Sequence, residues 1–153
     1  MRPLADIASP TLRRIMAHAF SNFHDGLLTG IVLGSDTATI LLQRTTGEEY
    51  KLTLGGLEVL HMEDFRQGNI ISMVEVVSGQ APYEHSGLER LFGPPHPSAA
   101  EEYHRAHAAV VERQSARIAN GEVSMVVIVP SYGADLIAIC RDVSLAPLAM
   151  NGS

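Results

Sequence analysis

The stretch Leu27-Leu-Thr-Gly-Ile-Val-Leu-Gly-Ser-Asp-Thr-Ala-Thr-Ile-Leu-Leu-Gln-Arg44 decides the class of fold. Two runs rich in β-branched and aliphatic residues flank Gly34-Ser-Asp36, which predicts a hairpin. Downstream, Thr45-Thr-Gly47 turns the chain into Tyr50-Lys-Leu-Thr-Leu54. Its strict alternation places Tyr50, Leu52 and Leu54 on one face and Lys51 and Thr53 on the other. Leu57 to Met62 and Ile70 to Val77 read as further strands, joined by Asp64-Phe-Arg-Gln-Gly-Asn69. Connections this short leave no room for parallel crossovers, so the sheet is antiparallel.

Near the other end, Val123–Val129 and Ala134–Cys140 are apolar at consecutive positions around Pro130-Ser-Tyr-Gly133, which predicts a closing hairpin buried on both faces. Two helices complete the expectation. Ser9-Pro10 suits a helix start, and Leu12, Ile15, Met16, Ala19, Phe20 and Phe23 recur at helical spacing. Ser98-Ala-Ala-Glu101 has capping-box spacing and opens a helix to about Asn120, closed by Gly121. Tyr103, Ala106, Val110 and Ile118 mark its inward side, with Glu101, Glu102, Arg105, Glu112 and Arg113 toward water.

The expected fold is therefore α+β: an antiparallel sheet of about six or seven strands, an N-terminal helix, and a second long helix inserted before a C-terminal hairpin. A chain of 153 residues, 46% of them hydrophobic, has the size and mixture for one domain over 1–153. Residues 1–8 and 145–153 are expected to be flexible, and 79–97 forms a long loop rich in proline and glycine.

The net charge of −6 opposes attraction to phosphate backbones, and no basic run exceeds Arg13-Arg14, so nucleic acid is not the expected partner. No uninterrupted apolar stretch approaches membrane-spanning length and the amino terminus lacks a secretory pattern, which predicts a cytoplasmic protein without membrane contact. No phosphate-cradling glycine motif and no nucleophile elbow occurs. Cys140, the single cysteine, sits in a buried strand pattern and reads as a structural thiol.

Two sets of residues stand out. Glu101, His104 and His107 are spaced to bring metal ligands toward one side of a helix, although the histidine pair lacks the spacing of a metalloprotease motif. Tyr83, Glu84, Glu89 and Phe92, in the long loop, offer an acidic and aromatic surface for a protein partner. His24-Asp25 and the group His61, Glu63 and Asp64 read as turn or surface polar groups, with no catalytic role assigned.

Phe23-His-Asp-Gly26, the run from Leu57-Glu-Val-Leu60 to Asp64-Phe-Arg-Gln-Gly-Asn-Ile-Ile71, and Ser131-Tyr-Gly-Ala-Asp135 with Cys140 together resemble small bacterial β-rich proteins of mostly unassigned function, some described as immunity-like. The resemblance spans Phe23 to Val77 and the closing hairpin. It implies a non-catalytic domain that binds another protein, and it transfers no active site; separately, no cofactor is expected. The alternative is a small metal- or ligand-binding domain or enzyme with a pocket drawn from His24, His61, His104 and His107. Homo-oligomerisation, which covers an apolar sheet edge, is compatible with either.

Overall fold

A computed structural model describes residues 20–83 and 87–148. The chain runs through β1 (Leu27–Leu33), β2 (Thr37–Gln43), β3 (Glu49–Gly55), β4 (Val59–Glu63), β5 (Asn69–Val77), a 3₁₀ turn (Leu88–Phe92), helix α1 (Glu101–Ala119), β6 (Ser124–Tyr132), β7 (Asp135–Cys140) and β8 (Asp142–Pro147). All neighbouring strands pair antiparallel, in the order β4-β7-β6-β5-β1-β2-β3-β8.

The expected α+β class is corrected. Among the described residues the protein is β-rich, with one eight-stranded sheet and a single long helix. Of the expected N-terminal helix, Phe20 and Ser21 are helical and Phe23 already lies in a turn, whereas the residues before Phe20 lie outside the described residues. The eighth strand comes from residues read as the end of the chain. Arg141 alone separates β7 from β8, yet β7 pairs with β4 and β6 whereas β8 pairs with β3. Residues 145–147, expected to be flexible, are held by this pairing, with Leu145 opposite Leu52 and Pro147 opposite Tyr50.

That change of partner closes the sheet. The β3–β8 ladder runs directly into the β4–β7 ladder. At the junction the Arg141 N–H donates to the Gly55 carbonyl at 3.0 Å, and the Glu58 N–H to the Ile139 carbonyl at 2.9 Å. The pairings run from β8 through β3, β2, β1, β5 and β6 to β7, and the chain itself continues from β7 through Arg141 back into β8, so the strands form a closed circuit. Side chains fill a closed sheet of this small size. The interior is Leu28, Ile40, Leu42, Leu52, Leu54, Ile71, Val74, Val126, Ile128, Leu136, Ala138 and Cys140, joined by half-buried Leu60, Met62, Val143 and Leu145.

A second core lies outside the ring. Met125, Val127, Ile137 and Ile139 face outward from β6 and β7 and pack with Val77, Leu88, Leu91, Ile118 and Val123. These two strands therefore bury alternate residues in two different cores, which explains their unbroken apolar sequence. Pro130, placed in the turn by the sequence pattern, instead lies within β6 opposite Ile71, where shifts in the β5–β6 register accommodate a residue lacking an N–H.

Helix α1 departs from expectation in start and phase. Ala100 occupies the N-cap without a side-chain bond, and Ser98 Oγ is 2.7 Å from His96 Nδ1, so the capping box does not form. The C-terminus closes as expected, with Gly121 at positive φ donating to the Ile118 carbonyl. Ile118 is the one fully buried helical residue, and His104, His107 and Val111 are partly covered at the matching spacing. Tyr103 and Ala106, expected to point inward, are exposed.

Candidate functional site

Three chain segments meet around Asn69, a buried polar residue. Its Oδ1 accepts the Arg66 N–H at 2.8 Å and the Ala134 N–H at 3.0 Å. Its Nδ2 donates to the carbonyls of Arg66 at 2.6 Å and Leu28 at 3.2 Å. One side chain thus ties the β4–β5 loop to the start of β1 and to the β6–β7 turn. The turn permits this approach because position 133 is glycine, at φ 85°: a Cβ there would collide with Asn69 Oδ1.

The loop so fixed raises Phe65 and Arg66 into solvent. Asp64 adopts φ 56° and Gly68 φ 80°, reversing the chain on either side of them. Arg66 Nε lies 2.6 Å from Asp64 Oδ1, and the guanidinium sits over the Tyr132 ring, 5.6 Å from its centroid. Bonding to Asp64, and secondarily to Tyr132, holds the Arg66 pKa above its ordinary value. Phe65 is 46% exposed and Tyr132 50%. Leu27, Ile70 and Tyr132 form one cross-strand row, and an open cleft of about 510 Å³ runs between Leu27–Thr29 and Phe65–Gly68. The sequence contained Asp64-Phe-Arg-Gln-Gly-Asn69 as a connection. The signal for a site was a polar Asn between a glycine and an apolar strand, with an aromatic–arginine pair just before it.

The residues singled out from sequence do not converge. Tyr83 is exposed, and its hydroxyl bonds to Glu75, which pushes the phenol pKa up. Glu89 is exposed and its carbonyl accepts from His107 Nε2 at 2.9 Å, while Phe92 packs against the outer core. Glu84 lies outside the described residues. Of the metal set, Glu101 faces solvent and His107 is engaged with the 3₁₀ turn. Among the described residues no group of three or more His, Cys, Asp or Glu side chains is arranged to hold a metal ion.

His24 and His61 each have a local partner. His24 Nδ1 donates to the Ser72 carbonyl at 2.8 Å, and His61 Nε2 meets Glu63 at 2.7 Å, which keeps the Glu63 carboxyl below the usual carboxylate range. Burial raises the Cys140 thiol to about 12, so almost none of it is thiolate near neutral pH. Among the described residues no helix is long and apolar enough to cross a membrane. No protein-family model, curated protein or solved structure matches the chain.

Proposed function

We propose that this protein acts by binding another protein, without catalysis, through the surface formed by Phe65, Arg66 and Tyr132. The observation that carries the reading is the posture of these side chains. Two half-exposed aromatic rings and a guanidinium stand beside an apolar cleft, on a loop fixed from beneath by a buried asparagine. Aromatic residues and arginine supply most of the energy of protein interfaces, and a loop already held in place loses little entropy on binding. The immunity-like role implied by the sequence resemblance is one form of such an activity, in which the bound partner is neutralised.

The test compares wild type with a Phe65→Ala/Tyr132→Ala variant as affinity baits in extracts of the source cells. Both side chains are half exposed, so the variant is expected to keep its circular dichroism spectrum and its Tm within a few degrees. A protein retained by wild type and depleted at least about tenfold on the variant supports the reading. Equal retention by both baits removes it.

A further inference from the structure

Arg66 is engaged by a carboxylate at one nitrogen. Asp64 takes its Nε at 2.6 Å, and among the described residues no second carboxylate stands within ion-pair distance. A guanidinium carries five N–H donors in a fixed plane, so a bond at Nε leaves the edge between Nη1 and Nη2 able to take another carboxylate through two parallel bonds. The side chain is 53% exposed and lines the cleft together with Leu27 and Phe65. Gln67 and Gly68, in the same wall, have main-chain N–H groups that donate to no acceptor among the described residues. The cleft therefore joins apolar walls to a guanidinium and two main-chain donors, a combination suited to an apolar group that carries an anion.

We propose that the cleft receives the C-terminal residue of the partner protein, with an apolar side chain against Leu27 and Phe65 and the terminal carboxylate on Arg66. The inference rests on the protein-binding reading above and names the part of the partner that is bound. Two considerations select a chain terminus over an internal acidic residue. The same short cleft holds the apolar walls and Arg66, so side chain and carboxylate must come from about one residue. Neighbours on an extended chain point to opposite faces, whereas a terminal residue carries both groups on one Cα. The net charge of −6 also disfavours an acidic partner surface, and a terminal carboxylate is a negative group that basic proteins carry too. Capture of a terminal carboxylate by main-chain N–H groups is a recurring mode of peptide recognition, and arginine adds a planar two-pronged donor to it.

Amide chemical-shift titrations of the full chain test this with three probes. N-acetylleucine carries both groups on one Cα, N-acetylleucinamide lacks the charge, and N-acetylaspartylleucinamide carries the carboxylate on the neighbouring residue. N-acetylleucine is expected to shift the amides of Leu27–Thr29 and Phe65–Gly68 with a Kd on the order of millimolar. The other two should bind at least about fivefold more weakly. Arg66→Gln should reduce N-acetylleucine to the level of its amide, and unchanged shifts away from the cleft will show that this half-exposed position tolerates the change. Absence of shifts in the cleft at about 20 mM N-acetylleucine overturns the proposal. Equal binding of the acid and its amide, or a preference that survives Arg66→Gln, also overturns it. Equal binding of N-acetylaspartylleucinamide overturns the assignment to a chain terminus and gives the site to an internal acidic residue. The titration needs no partner, so its failure leaves capture through Phe65 and Tyr132 standing, whereas failure of that capture is seen only with the baits.

Discussion

Asn69 satisfies two N–H groups and two carbonyls belonging to three separate segments, at a position 2% exposed. Replacing it with alanine leaves the Ala134 N–H, itself on a buried residue, with no protein partner and frees the β4–β5 loop. An orphaned buried backbone group is more costly than the loss of an average hydrogen bond. Asn69→Ala is expected to lower unfolding free energy by about 3 kcal/mol in urea titrations. It should also increase hydrogen exchange from Asp64 to Gly68. A loss below about 0.5 kcal/mol would mean that water replaces the side chain and that the loop is held by other contacts. The sequence displayed Asn69 openly but not its role, because its four bonds reach segments up to 65 residues away.

At the scale of elements, alternation and turn residues made most strands legible, since a strand half buried in one core repeats every second residue. Two features were not. The break between β7 and β8 consists of Arg141 alone and carries no turn signature, because the chain continues straight while its pairing partner changes. The phase of α1 was misread because a helix with one fully buried residue has too weak an apolar stripe to define its inward side. Besides Ile118 in the outer core, an ion pair fixes its position. Arg117 grips Glu58 with two bonds of 2.7 and 2.8 Å, and Arg141 stands 3.6 Å from the same carboxylate. The Arg117 bond, aided by both arginine charges, holds the Glu58 pKa below its ordinary value despite partial burial. A depressed carboxylate pKa stabilises the folded state above the unfolded pKa, and that contribution disappears as pH falls through the folded value. Glu58→Gln should therefore cost about 1 kcal/mol near neutral pH, allowing for partial solvent screening. The gap from wild type should narrow as acidification carries the pH down through the lowered Glu58 pKa, measured from urea midpoints. A gap of the same size at both ends would assign the cost to packing.

For the molecule as a whole, closure of the sheet depends on one short strand at the end of the described chain. β8 covers the outer edge of β3 from Tyr50 to Gly55 and supplies Val143 and Leu145 to the interior. The other interior residues come from every strand in the ring, so the main core is shared rather than divided between halves. A core built this way is expected to unfold in one cooperative transition, with tyrosine fluorescence and far-ultraviolet circular dichroism changing together. Ending the chain after Arg141 tests the ring directly. The shortened chain keeps β4–β7 and β6–β7 pairing, but it exposes the β3 edge and removes the wall beside Leu52 and Leu54. If the sheet were an open one with β8 as an ornamental edge, losing six strand residues would lower stability modestly and leave the transition sharp. In a closed ring every strand depends on both neighbours, so the truncation is expected to abolish the sharp transition and expose apolar surface to a hydrophobic dye. A truncated chain with a wild-type denaturant slope would show that the remaining strands hold their core without closure.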